Sequence, residues 1–154
     1  MGSGLLLLLL AQASCSRPNA DLAGLRARAE AGEAGAQFEL GEALYNGSRG
    51  VPPDEAEAVK WYRQAAGQNN VSAQLYLAIC CENGTGVKQD KAEAYKWFRV
   101  AAEQGSKAGR KFLDTAPKCM SSDEIAEGAQ RAAEWLEQFK KTSAGGRTRN
   151  GDSQ

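Results

Sequence analysis

One stretch of this chain is written twice. Residues 34–70, AGAQFELGEALYNGSRGVPPDEAEAVKWYRQAAGQNN, align with residues 71–106, VSAQLYLAICCENGTGVKQDKAEAYKWFRVAAEQGS, with a single gap opposite Arg49; 17 of the 36 aligned pairs are identical. Ala36/Ala73, Gln37/Gln74, Leu40/Leu77, Asp54/Asp90, Trp61/Trp97 and Ala65/Ala101 are among them. Agreement at that density is duplication rather than chance, and a period between about 20 and 50 residues marks a stacked array. A unit this small cannot bury its own apolar face and must cover it with the next one. A chain built this way is expected to present a surface rather than to run a reaction.

The rest of the composition narrows the function in the same direction. With 154 residues, 42% hydrophobic and 25% charged, there is material for one ordinary globular domain. Nineteen basic residues balance nineteen acidic ones, so no long-range field draws the chain to nucleic acid or to an anionic membrane. Histidine is absent, which removes the usual general base near neutral pH and the commonest metal ligand. No cofactor is expected.

Each unit reads as two helices. Ala36, Leu40, Gly41 and Leu44 recur at helical spacing on one face, and Ala73, Leu77, Ala78 and Cys81 repeat them. Small residues at 41 and 78 imply close helix approach. Asn46-Gly47 and Asn83-Gly84 end these first helices, because both residue types accept the left-handed conformation of a helix C-terminus. Asp54-x-x-Glu57 and Asp90-x-x-Glu93 open the second helices as capping boxes, the first reinforced by Pro52-Pro53. Their apolar stripes are Ala58, Trp61, Tyr62, Ala65, Ala66 and Ala94, Trp97, Phe98, Ala101, Ala102. Each tryptophan is expected to wedge between neighbouring helices. A base-stacking role for Trp61 and Trp97 would need a basic groove that the sequence lacks.

Both ends read as adapted half-units. Residues 20–31 resemble the tail of a second helix, and residues 107–115 begin a further first helix that Pro117 cuts short. Ser121-x-x-Glu124 is a third capping box, and it opens a helix from about Ser122 to Lys140 with Ile125, Ala129, Ala132, Trp135, Leu136 and Phe139 on one stripe. That helix caps the array. Residues 141–154, polar and Gly-rich, are expected to be disordered.

The first fifteen residues have the layout of an export signal: an apolar run, Leu5 to Ala11, then Ala11-Gln12-Ala13 as a cleavage site. No Lys or Arg precedes the run. Export would place the product in the periplasm or outside the cell; without it the protein stays cytoplasmic. Cys15 follows two small residues and is an alternative lipid acceptor, the one route by which a membrane becomes a partner. The remaining cysteines, Cys80, Cys81 and Cys119, lack C-x-x-C spacing. They are read as buried small apolar residues, or alternatively as one bridge between the 80/81 pair and Cys119.

Ala36-Gln37-x-x-Leu40-Gly41, Asn46-Gly47, Gly50-Val51-x-x-Asp54 and Ala58-x-x-Trp61-Tyr62-x-x-Ala65-Ala66 together resemble the Sel-1-like repeat, a relative of the tetratricopeptide repeat. The second copy keeps Ala73-Gln74-x-x-Leu77, Asn83-Gly84-x-Gly86-Val87, Asp90 and Ala94-x-x-Trp97-Phe98-x-x-Ala101-Ala102. The resemblance covers about residues 20–140, including a closing helix like that of bacterial members. Cys81 stands where the family has Tyr, Ala78 where it has Gly, and Gly128 looks inserted.

The resemblance implies a right-handed α-solenoid of helix-turn-helix repeats that serves as an adaptor for protein complexes, often in the bacterial envelope. In related repeats the first helices line the concave face, which here would display Phe38, Glu42, Tyr45, Leu75, Ile79, Glu82 and Lys111. Such a mixture of anchors and charges suits an extended or helical peptide. Phe38 and Leu75 are alternatively core residues.

An enzymatic alternative comes from cysteine-rich members for which β-lactamase or penicillin-binding activity has been proposed. Their paired cysteines fall near positions held here by Gln37 and Ala66, and no Ser-x-x-Lys occurs in the chain. Asn83-Gly84-Thr85-Gly86-Val87-Lys88 lacks the phosphate-loop pattern and reads as a turn between helices.

Overall fold

The computed structural model describes residues 18–145, which form seven α-helices. They are α1 Pro18–Glu30, α2 Ala34–Asn46, α3 Glu55–Gly67, α4 Val71–Asn83, α5 Lys91–Glu103, α6 Lys107–Thr115 and α7 Ser122–Gly145. A 3-10 turn, Ala116–Lys118, carries Pro117 and ends α6 as expected. No strand occurs among the described residues, and the architecture is the all-α solenoid expected from the repeat. The apolar run at 5–11, Cys15 and residues 146–154 lie outside the described residues.

The helix boundaries have local causes. Asp54 and Asp90 each accept the backbone N–H three residues on, from Glu57 and Glu93, at 2.8 Å. The second half of the expected capping box is not formed in either unit. The Asp54 and Asp90 N–H groups already donate to the Leu44 and Cys81 carbonyls, both at 2.9 Å, which ties each second helix to the first. Glu57 and Glu93 therefore turn along their own helices and accept the indole N–H of Trp61 at 3.3 Å and Trp97 at 2.8 Å. The Ser121 box does close both ways, at 2.7 and 3.2 Å. Between units the chain reverses at Gly32, Asn69 and Gly105, all left-handed with φ of 94, 68 and 92°.

Helices pack in sequence, α1 on α2, α2 on α3 and onward, until α5 receives both α6 and α7. The core runs through every unit and includes Leu25, Leu40, Val59, Tyr62, Leu77, Trp97 and Val100. Ala78 and Cys81 are fully buried, so the second unit closes as completely as the first despite its departures from the family pattern. Gly128, read as an insertion, proves to be a contact point. A Cβ there would lie 2.7 Å from the Ala92 carbonyl and 2.8 Å from Tyr95.

A buried amide joins successive units. Gln37 Nε2 donates to the Ala29 carbonyl at the end of α1 (3.1 Å), and its Oε1 accepts from Gln68 at the end of α3 (2.7 Å). One unit later Gln74 donates to the Ala66 carbonyl (3.3 Å) and accepts from Gln104 (2.7 Å). At the third joint the corresponding residue is Arg110, which is exposed. There, Phe98 and Phe112 stack at 3.8 Å and Gly109 allows the backbones to touch.

The closing helix α7 presents the apolar stripe expected of it, with Trp135 edge-on to Trp97 of α5 at 5.5 Å and Phe139 stacked on Trp135 at 5.0 Å. Arg131 clamps it by bonding Asp90 (2.9 Å), Glu93 (3.3 Å) and Glu127 (2.5 Å). The two repeat tryptophans consequently differ. Trp97 is 4% exposed beneath α7, whereas Trp61 is only half-buried, because α1 brings Arg26 towards Glu57 instead of a ring. The helix also runs past its expected end, so residues 141–145 are helical rather than disordered. Thr142 folds its hydroxyl back to the Gln138 and Phe139 carbonyls, and Lys141 pairs with Glu137 at 3.7 Å.

Two Gly→Ala substitutions should shift stability in opposite directions. Gly24 lies within α1 with nothing near its would-be Cβ, so Gly24→Ala should stabilise by up to about 1 kcal/mol. At Gly109 the same methyl would sit 2.5 Å from the Phe98 carbonyl, and Gly109→Ala should destabilise by about 1–3 kcal/mol. Denaturant unfolding followed by circular dichroism reads both, and a neutral or stabilising Gly109→Ala would refute the close approach of α6.

Candidate partner-binding face

The first helices α2, α4 and α6 carry the seven residues expected to meet a partner, and the structure divides them. Phe38 and Tyr45 project from α2 into an aromatic cluster with Tyr62 of α3 and Tyr76 of α4. The ring centroids lie 5.9 Å apart for Phe38–Tyr62, 5.4 Å for Phe38–Tyr76, 6.4 Å for Tyr45–Tyr62 and 5.4 Å for Tyr62–Tyr76. Phe38, Tyr45, Leu75 and Tyr76 are half-buried and packed against the core, so they are edges of the core as well as candidate anchors. Ile79, on the same helix as Tyr76, is 40% exposed and is the exposed large apolar side chain among the described residues. Glu42 and Glu82 are half-buried, while Lys111 is exposed on α6 and makes no ion pair with either.

Tyr76 was not legible as a site residue, because its counterpart in the first unit is Glu39 and the repeat pattern gives no aromatic there. Tyr62 read as core, and it is: the residue is fully buried, with a hydroxyl that finds no hydrogen-bond partner. Burial first, then the neighbouring charges of Cys80 and Glu42, hold its phenol well above the ordinary range. Tyr76 is also raised, by burial and then by the charge and hydrogen bonding of Glu42. Tyr62 and Tyr76 thus keep their phenol protons at physiological pH.

Elsewhere the charges satisfy one another. A cleft of about 550 Å³ between α5 and α7 is lined by Arg63, Asp90, Glu93, Glu127 and Arg131, but Arg131 already serves three of those carboxylates. A smaller pocket of about 250 Å³ reaches Glu82, Phe112, Cys119 and Met120. All three described thiols are free, Cys80 and Cys81 buried and Cys119 exposed, so the alternative bridge is not formed. Burial pushes the Cys80 and Cys81 thiols up to about 11.

A family model for the Sel1 repeat matches residues 34–70 and 71–106. The chain carries two Sel1 repeats. Among solved structures it is similar to c5321, a protective antigen of uropathogenic Escherichia coli strains displaying this fold, at 28% identity and a TM-score of 0.73, covering 86% of this chain and 29% of the antigen. A Sel1 repeat protein from Oxalobacter formigenes is 35% identical with a TM-score of 0.57, over 59% of this chain and 26% of its own. Cysteine rich protein B of Helicobacter pylori is 26% identical with a TM-score of 0.59, over 62% of this chain and 71% of its own. The chain therefore spans under a third of the E. coli antigen it overlays. No curated protein sequence matches it. Sel1-repeat proteins generally serve as scaffolds for protein–protein interaction.

Two measurements test this description. Maleimide labelling of the native protein at pH 7.5 should modify Cys119 quickly, with Cys80 and Cys81 protected until denaturant is added; mass spectrometry of the labelled peptides reads the order. Tyr62→Phe removes a buried hydroxyl that has no partner, so its unfolding free energy should be unchanged or higher by about 1–2 kcal/mol. A clear loss of stability would mean that the hydroxyl is hydrogen-bonded after all.

Proposed function

We propose that the protein is a non-catalytic adaptor that binds a partner protein or peptide along the concave face of its solenoid. The observation that supports this best is Ile79, left exposed on α4 next to a half-buried aromatic cluster. An apolar side chain standing beside anchored rings gives a partner both a contact to bury and a rigid floor to bury it on. The partner meets Phe38, Glu42, Tyr45, Leu75, Ile79 and Glu82, with Lys111 at the far end of the row. The apolar run at 5–11 with its Ala11-Gln12-Ala13 site supports a role in the bacterial cell envelope.

The hydrolase alternative gains no support from the cysteines. Cysteine-rich Sel1 proteins pair theirs near positions that hold Gln37 and Ala66 here, and those two residues build the joints between units. Sustained β-lactam turnover by the purified protein, lost on a single substitution, would overturn the non-catalytic reading.

In-cell crosslinking followed by mass spectrometry should capture a reproducible partner. Tyr45→Ala and Ile79→Glu should each reduce that capture at least about tenfold, the scale of one anchor residue lost from an interface. Ile79→Glu should leave the melting temperature nearly unchanged, because the side chain is already exposed. Full capture by both variants would move the binding site off this face.

A further inference from the structure

The carboxylates of the first and second helices are unevenly spent. Glu39 pairs with Arg49 (3.7 Å), Glu57 with Arg26 (3.6 Å), and Glu93 with both Lys96 and Arg131 (3.0 and 3.3 Å). Glu42 is more buried than a free surface carboxylate and has no cationic partner among the described residues. Its neighbours are aromatic instead: Phe38 one turn before it and Tyr45 one turn after it on α2, with Tyr76 reaching across from α4 to Phe38. Ring faces attract cations, and a carboxylate set among rings does so more strongly than one in open water.

Resting on the docking face proposed above, we infer that its occupant is a cationic peptide segment, whose arginine or lysine seats among Tyr45, Tyr76 and Phe38 against the Glu42 carboxylate while an adjacent apolar residue covers Ile79. The chain carries no net charge, so the selectivity is local to this seat rather than a property of the whole surface. Glu82, the counterpart of Tyr45 in the second unit and likewise without an ion-pair partner, extends the same sign along α4. An acidic segment would meet Glu42 and Glu82 before it reached Lys111, so like charges disfavour it at the centre of the face.

A random dodecapeptide library displayed on phage and selected on the full chain provides the probe, with fluorescence anisotropy on the selected peptides. Selected peptides should share an Arg or Lys beside an apolar residue. Their affinity should fall about tenfold or more on Glu42→Gln and little on Glu39→Gln, with the melting temperature of both variants unchanged. Glu42→Lys should restore binding to peptides whose cation is replaced by Glu. Uncharged or acidic peptides that bind Glu42→Gln as tightly as the parent, but fail on Ile79→Glu, would overturn the cationic seat and keep the docking face. Absence of enrichment, or binding indifferent to both substitutions, would overturn the two together.

Discussion

A solenoid holds together only if each unit recognises the next, and here that recognition is a side-chain amide placed in an otherwise apolar seam. Gln37 and Gln74 are buried, which costs several kcal/mol unless their polar atoms are paired. Each spends its N–H on the last-turn carbonyl of the preceding unit and its oxygen on the glutamine that ends its own unit. The carbonyls concerned are among the four that any helix leaves unsatisfied at its C-terminus. Each carbonyl also accepts a backbone N–H from the turn that follows it, so the amide adds a second bond at that helix end and ties three helices together. Apolar packing alone would tolerate sliding; the amide permits one register.

The final joint is made differently. Arg110 occupies the glutamine's place and points outward, so α6 is held by a stacked ring pair and a glycine contact instead. The chain then returns to α5 with α7, a helix of 24 residues against one of 13, about 36 Å against about 20 Å. Trp135, Gly128 and Arg131 attach α7 at three points, and they answer features of α5 that α3 also has: an indole, a small-residue backbone and an N3 carboxylate. The closing helix thus uses contacts the repeat already offers, while its excess length departs from the repeat.

Much of this was legible because duplication doubles every signal. Asp54 and Asp90, Asn-Gly at 46 and 83, and the two apolar stripes each appear twice, so helix ends and inward faces could be placed without coordinates. What was not legible depended on competition for a single group. The capping glutamates were drawn away because the aspartate N–H groups had found carbonyls across the hairpin, a contact distant in sequence. Trp61 and Trp97 are identical letters with different burial, because only one has a ring laid over it by a non-repeating helix. Tyr76 escaped notice for the opposite reason: it breaks the repeat, and it gains its meaning from Phe38, a full unit earlier. The continuation of α7 past Lys140 rests on Thr142 and Lys141 bonding back along the helix, which Gly-rich composition nearby concealed.

The placement of the two amides bears on how such a chain changes length over generations. An extra unit copied in between Asn70 and Val71 would bring its own glutamine and present its own terminal carbonyl, so both neighbours would find the chemistry they already use. The same copy placed after Ser106 would also bring its glutamine to the unit before it, but its last helix would have to supply what α5 supplies now, the ring that stacks on Phe112 and the indole that receives Trp135, and a copy of the first unit offers Tyr62 in place of Phe98. Growth in the middle leaves the closing helices untouched, whereas growth at the far end makes the newcomer match them.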